Sequence, residues 1–178
     1  MKSDSLWSFA SSVYQKEGVG PACLALQNQC HVDIPMLFSI AFACGKGKKI
    51  LKIDVVNLKS LASPWQTDIV QALRHIRTQL KSGPHPAPNS KTDELREQVK
   101  VSELAAEKIQ IEIMQSWIDN LKTNYHKNSP PKLSMMIDSI TIFVASNCRG
   151  AITPSQHKHI HCIGDAALQY IDKLKTTL

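Results

Sequence analysis

Residues 33–45 read DIPMLFSIAFACG and carry a clear helix signature. Asp33 can cap the helix with its carboxylate, and Pro35 suits the first turn, where an N–H would have no partner. Gly45 is well placed as the residue that ends the helix. Met36 to Cys44 is the longest apolar stretch in the chain, but a helix needs ~20 such residues to span a membrane. The segment therefore predicts an α-helix that does not cross a membrane.

Helical spacing continues on both sides of this segment. Residues 4–16 repeat apolar side chains every three or four positions, and a second helix is predicted from Pro21 to about Cys30. Two later stretches, residues 63–66 (SPWQ) and 153–156 (TPSQ), each combine a hydroxyl cap, a proline in the first turn and a glutamine three residues after the cap. They predict helices that end near residues 81 and 175.

The remaining segments complete the fold class. Residues 53–62 favour a helix over a strand, and residues 92–124 predict a long helix. Residues 133–146 could form a buried helix or a strand. The β-branched side chains favour a strand, while the length of the segment and the lack of a partner strand favour a helix. We expect an all-α protein, an irregular bundle of six to eight helices. The helix predicted from residues 63–66 is expected to bury its apolar side chains, which are Trp65, Ile69, Leu73, Ile76 and Leu80.

Two proline-containing breaks suggest a division of the chain. Residues 82–91 read SGPHPAPNSK, and their prolines predict an extended, semi-stiff linker. Residues 126–132 read HKNSPPK and form a second break. We therefore expect a helical domain at 1–125, with its linker at 82–91, and a C-terminal helical extension at 126–178 that packs on it.

Composition limits the function classes. The chain has 178 residues, of which 43% are hydrophobic, so it can bury a core and is not disordered throughout. Its 21 Lys+Arg against 15 Asp+Glu give a diffuse charge of +6, which permits an acidic partner without requiring one. The N-terminal residues lack the continuous apolar core of a secretion signal, and the five cysteines form no CxxC pair. We expect a cytoplasmic protein whose cysteines are small buried hydrophobes.

The first candidate site is a basic stripe. Arg74, Arg77 and Lys81 follow the spacing of one helix face. They could bind an acidic protein or a nucleic acid, or form the plain solvated face of an amphipathic helix. Glu103 and Glu107, on the long helix, are interpreted as a solvated face.

The second candidate combines large side chains that have a polar end with polar residues that could pair with them. Its members are Trp7, Tyr14, Gln27, Asp33 and Trp65. They could form a polar network that fixes the core, or they could line a small pocket.

The third candidate is a histidine pair. His157 and His161 share a helix face, but a zinc ion needs three or four ligands, so Cys148 or another residue would have to complete the set. The alternative is a polar helix start, and the sequence predicts no metal and no cofactor. No P-loop, nucleophile elbow or dinucleotide motif is present, so no catalytic residue is predicted. A non-enzymatic binding or adaptor protein is favoured; a small-molecule or metal-binding protein, or an enzyme, stays open.

Several motifs together resemble a known family. They are Leu6-Trp7-Ser8-Phe9-Ala10, Ala22-Cys23-Leu24 with Leu26-Gln27, Val32-Asp33, Trp65 followed by Leu73-Arg74, Arg77 and Leu80-Lys81, and Ser102-Glu103-Leu104-Ala105-Ala106-Glu107. Over roughly residues 5–120 the chain is similar to a family of small uncharacterised proteins from Gram-negative bacteria. The resemblance implies no reaction, but it places the basic stripe in the family's signature. Members usually carry Asn after the position of Asp33, where this chain has Pro35.

Overall fold

A computed structural model describes residues 5–121 and 133–176. These residues form α-helices and contain no strand, which confirms the all-α class and assigns residues 133–146 to a helix. The helices are α1 (Leu6–Tyr14), α2 (Val19–Cys30), α3 (Ile34–Gly45), α4 (Lys52–Trp65), a π-helical turn (Gln66–Val70), α5 (Gln71–Ser82), α6 (Ser90–Asn120), α7 (Leu133–Ala145) and α8 (Pro154–Thr176). Because α4, the π-helical turn and α5 are continuous, the described ranges contain seven separate helical segments, within the predicted six to eight.

Helix α3 lies at the centre of the bundle. Every residue from Met36 to Cys44 is buried, as expected for a helix that is apolar all round. Helices α1, α6, α7 and α8 pack against it. The Asp33 carboxylate accepts a hydrogen bond from the Met36 N–H at 2.8 Å, which confirms the predicted cap.

The predicted helix start at Ser63 is wrong. Helix α4 runs through Pro64, and the chain continues helically into α5. Proline has no N–H to donate to the carbonyl four residues earlier, and the wider π-helical turn follows it directly. The equivalent prediction at Thr153 is confirmed, because Thr153 N–H donates to Gln156 Oε1 at 2.9 Å and Gln156 N–H donates to Thr153 Oγ1 at 3.3 Å.

Helices α5 and α6 form an antiparallel hairpin. The Trp65 Nε1–H donates to the Ala106 carbonyl at 3.0 Å, and Arg77 bonds Glu103 closer to the hairpin turn. The predicted linker at 82–91 contains the non-helical residues 83–89, and these residues reverse the chain direction between α5 and α6. Because each helix covers the other on one side only, the predicted burial is wrong for Ile69 and Ile76, which are 38% and 47% exposed, and Trp65, Leu73 and Leu80 are only half-buried.

Helices α7 and α8 share the core of the N-terminal helices. Their fully buried side chains include Met136, Phe143 and Ile163, which belong to one continuous cluster with residues of α1 to α4. The predicted boundary at 125/126 and the break at 126–132 lie outside the described residues. Within 5–121 and 133–176 no helix is both long and apolar enough to span a membrane.

The cysteine prediction is wrong for two of the five residues. Cys30, at the end of α2, forms a disulfide with Cys148, which follows α7. The two cysteines are 118 residues apart in the sequence, so their spacing did not indicate that they pair. Cys23 and Cys44 are buried free thiols, as expected, and Cys162 is a half-buried free thiol.

Candidate functional site

A polar cavity of about 620 Å³ lies where α2 ends, α3 begins and α4 passes into α5. This volume is in the range of small-molecule sites, roughly 300–1,000 Å³. Its wall is lined by Gln27, Asn28, His31, Val32, Asp33, Met36, Lys59, Ser63, Gln66, Thr67, Gln71, Arg74 and Asn147. Most of these side chains can form hydrogen bonds, and only Val32 and Met36 are apolar.

Irregular backbone shapes two sides of the cavity. His31 ends α2 in the left-handed conformation, with φ of 53°, which non-glycine residues seldom adopt. The π-helical turn supplies Gln66 and Thr67 to another part of the wall. Irregularities of both kinds are frequent at functional sites. The Cys30–Cys148 disulfide is adjacent in sequence to the lining residues His31 and Asn147, and so ties two parts of the wall together.

Asp33 is a buried carboxyl group at the wall. Its Oδ1 accepts from the Met36 N–H at 2.8 Å, and its Oδ2 accepts from Gln110 Nε2 at 3.0 Å. Burial raises the pKa of Asp33 above its ordinary value, although these two hydrogen bonds and the charge of Arg74 oppose the rise. Gln110 Oε1 is buried and bonds no other group among the described residues.

Lys59 and Gln66 reach the cavity from the α4 side. Lys59 Nζ donates to the Ser146 carbonyl at 3.0 Å and lies 5.7 Å from the centre of the Phe143 ring. Burial lowers the pKa of Lys59. Gln66 is only 7% exposed, and its Oε1 is buried without a hydrogen-bond partner in the part of the chain that the structure describes.

Arg74 joins the cavity to a charged network between α5 and α6. Its Nε and Nη2 donate at 2.8 Å to Glu103 Oε1 and Glu107 Oε1, and Arg77 Nε donates to Glu103 Oε2 at 2.5 Å. Burial acts to raise the pKa of Glu103, but the hydrogen bonds from Arg77 and Arg74 outweigh it and lower that pKa. The pKa of Glu107 is raised, mainly by burial.

The predicted basic stripe is not an open surface. Arg74 and Arg77 pair with glutamates of α6, and Lys81 is the exposed member of the three. The predicted solvated face at Glu103 and Glu107 is wrong for the same reason, since Glu103 is 6% exposed and both glutamates bond arginine. Binding of an acidic protein or nucleic acid at the stripe stays a prediction.

The predicted pocket residues separate in the structure. Gln27 and Asp33 line the cavity, whereas Trp7 lies elsewhere. The Lys108 ammonium is positioned over the Trp7 ring, with Nζ 5.9 Å from the ring centre. Tyr14 is 43% exposed, and the Trp65 indole N–H donates a hydrogen bond to the backbone of α6. Arg74, predicted as part of the basic stripe, also lines the cavity, and sequence reasoning missed the other lining residues because they come from separate segments of the chain. One sequence signal pointed to this region: Pro64 precedes the π-helical turn and is next to the lining residue Ser63.

The histidine pair lacks the surroundings of a metal site. His157 and His161 are exposed, and Cys148 is bonded to Cys30. Within the described ranges no group of three or more His, Cys, Asp or Glu side chains is arranged to hold a metal ion.

The fold and the cavity define the class of protein: a small all-α protein with a solvent-open pocket lined mainly by polar side chains. A family described as "Protein of unknown function (DUF2390)" matches residues 5–114. The chain belongs to this family, as its motifs predicted, and the match covers every lining residue except Asn147. Comparison with curated proteins and with solved structures found no match.

Proposed function

We propose that this protein binds a small polar molecule in the cavity between α2, α3, α4 and α5. The observation that carries the proposal is a cavity of about 620 Å³, open to solvent, whose wall holds charged and uncharged hydrogen-bonding groups. Ligand sites hold a few polar groups in a concave space of this size. The paired arginines make a basic docking face the weaker alternative.

The state of Gln66 supports the proposal. Buried side-chain polar atoms in folded proteins almost always have a hydrogen-bond partner. Gln66 is only 7% exposed, yet its side-chain oxygen Oε1 has no hydrogen-bond partner in the described residues. Rotation of the Gln66 side chain would turn this oxygen to the cavity, where a ligand that donates a hydrogen bond would complete its bonding.

A cavity-filling variant tests the proposal. Ser63 is half-buried in the wall, so Ser63→Phe would occupy the cavity, while Ser60→Phe makes the same change at an exposed position of α4 outside the wall. Thermal unfolding is measured for the wild type and both variants against amino acids, sugars, nucleosides, carboxylic acids and inorganic phosphate. A ligand that binds only the folded state raises the melting temperature.

The expected result is a set of compounds that stabilise the wild type and Ser60→Phe but not Ser63→Phe. Compounds that stabilise all three proteins equally do not use the cavity. If no compound distinguishes Ser63→Phe from Ser60→Phe, the proposed function is wrong.

We also propose the cytoplasm as the place where the protein works. The free thiols of Cys23, Cys44 and Cys162 support a reducing compartment, although disulfides such as Cys30–Cys148 are commoner in oxidising ones. Fractionation of the cells that make the protein is the test, and recovery from an extracytoplasmic fraction would contradict the proposal.

A further inference from the structure

We infer that the ligand carries a negatively charged oxygen group, a carboxylate or a phosphate, which binds to Lys59 at the wall of the cavity, while Arg74 donates a hydrogen bond to another part of the ligand. The inference rests on the proposed function and narrows its ligand to one chemical class. Three features of the wall support it: a lysine without a carboxylate partner, an arginine with an unused donor, and an acidic side chain whose oxygens are already occupied.

Lys59 is the first feature. It is half-buried, and in the described residues no Asp or Glu forms an ion pair with its ammonium group. Its one hydrogen bond goes to the Ser146 carbonyl, while a lysine ammonium has three N–H groups to donate. A partly buried charge without a counter-ion is costly, so an anion placed beside Lys59 would offset that cost.

Arg74 is the second feature. Its Nε and Nη2 bond Glu103 and Glu107, whereas Nη1 bonds no acceptor in the described part of the chain. The two glutamates offset the positive charge of Arg74, so its contribution to a ligand is a fixed donor rather than net charge. The glutamates also hold the guanidinium in place, and a preorganised donor binds an acceptor group of the ligand with a smaller entropy cost.

Asp33 is the third feature. It supplies the one carboxyl group of the lining in the described residues, and an unpaired carboxylate there would repel an anion. Both of its oxygens already accept hydrogen bonds, from Met36 N–H and from Gln110 Nε2. Burial raises its pKa, which disfavours the charged form relative to a free aspartate. The remaining wall, which includes Gln27, Gln71 and Thr67, offers neutral groups to the rest of the ligand.

Calorimetric titration with two simple probes tests the inference. Inorganic phosphate and sodium acetate are added at constant ionic strength, so that the arms separate a phosphate group from a carboxylate. The variants are Lys59→Gln and, as the matched control, Lys52→Gln, which removes an exposed charge from the same helix. Lys59→Arg keeps the charge and serves as a second variant, and circular dichroism confirms that each variant is folded.

We expect at least one probe to bind the wild type and Lys52→Gln within about twofold of each other. Loss of a charge-assisted hydrogen bond weakens binding by about 10-fold or more, so we expect that loss in Lys59→Gln and partial retention in Lys59→Arg. Equal binding of the probe to Lys59→Gln would overturn the inference.

The failure of the inference is distinguishable from failure of the proposed function. If neutral compounds bind in a way that Ser63→Phe abolishes, and neither anion binds, then the cavity is a ligand site but the anionic class is wrong. If no compound of either charge responds to Ser63→Phe, both proposals are wrong.

Discussion

Asp33 performs two tasks at one position. It caps α3 through the Met36 N–H and it holds Gln110 of α6 through Nε2, so a single side chain links the central helix to its neighbour. Its burial raises its pKa, since the surroundings disfavour the charged form. A protonated Asp33, with Gln110 turned over, would donate to Gln110 Oε1, the acceptor that has no partner in the described residues.

Substitution of Asp33 separates the hydrogen bonds from the charge. Asp33→Asn keeps the cap and can donate to Gln110 Oε1, so we expect the free energy of unfolding at pH 7 to be equal to or above that of the wild type. Asp33→Ala removes the cap and leaves a buried amide without its partner, which should cost about 2 kcal/mol or more. Urea unfolding of the two variants measures both effects.

The pH dependence of Asp33→Asn follows from the sign of the shift. The pKa of Asp33 is higher in the folded state than its ordinary value of 3.8 in the unfolded state. As pH rises from 3.8 through the folded pKa, this carboxyl group therefore lowers the free energy of unfolding. The stability of Asp33→Asn relative to the wild type should therefore increase with pH in this window. A difference that does not change with pH would contradict a raised pKa.

Glu103 has the opposite shift because two arginines bond it. Glu103→Gln should lower the free energy of unfolding at pH 7 by about 1–3 kcal/mol, since Arg74 and Arg77 lose a charged acceptor. A lowered pKa stabilises the fold above the ordinary value of 4.5 and the stabilisation is lost as pH falls through the folded pKa. The difference between variant and wild type should therefore shrink in acid.

The matched control for Glu103 is Glu97. It is exposed and bonds Lys100 and Arg96 on its own helix. Exposed pairs of this kind contribute little, so Glu97→Gln should leave the unfolding midpoint nearly unchanged. If Glu97→Gln lowers the free energy of unfolding as much as Glu103→Gln does, the charged network between α5 and α6 contributes no more to stability than an exposed ion pair.

At the scale of helices, one pattern leads to two outcomes. Residues 63–66 and 153–156 share a hydroxyl, a proline and a glutamine in the same order, but only the second stretch forms a capping box. The first is preceded by a helix, so the chain continues through Pro64 and widens into the π-helical turn. The second follows the irregular residues 146–152, where a helix has to begin anew. The difference comes from the preceding segment rather than from the motif.

The contact between α3 and α8 depends on Gly45. Gly45 is the last residue of α3, close to the predicted helix end, and a Cβ there would overlap the Ile171 side chain. Gly45→Ala should therefore destabilise the protein by about 1–3 kcal/mol through overpacking, measured by thermal or urea unfolding.

Two comparisons check this prediction. Gly150→Ala adds the same methyl group where no atom lies within 4 Å, so it should have little effect. Ile171→Val removes the atom that the new Cβ meets first, and should recover part of the stability lost in Gly45→Ala. If the double variant is as unstable as the sum of the single ones, the overlap is not the cause.

At the scale of the whole molecule, the C-terminal helices complete the core. The family match ends at residue 114, yet α7 and α8 bury side chains against α1 to α4. We propose that the residues 126–178 act as an extension that packs on the domain at 1–125, as the sequence predicts. The Cys30–Cys148 disulfide links the two parts covalently beside the cavity.

The disulfide should stabilise the folded protein strongly, because it closes a loop with a sequence separation of 118 residues. Reduction, or the Cys30→Ser/Cys148→Ser double variant, should lower the free energy of unfolding by about 2–5 kcal/mol. Urea unfolding with and without a reducing agent measures the change. The reducing agent should not affect the double variant; an equal effect on both proteins would show that another process is responsible.

The sequence by itself determined the helical class, the caps at Asp33 and Thr153, and the family. These features depend on local spacing and on side chains a few residues apart, which a linear pattern contains. It did not predict the hairpin, the disulfide or the cavity.

Only the tertiary structure decided how the candidate residues combine. Arg74 was a candidate binding residue and Glu103 was interpreted as part of a solvated face, but their pairing depends on the direction in which α6 returns along α5. The cavity likewise takes lining residues from α2 through to the segment after α7, so no spacing along the chain encodes it. Contacts between distant segments depend on how helices pack, and the spacing of apolar residues specifies which face is buried without specifying what it packs against.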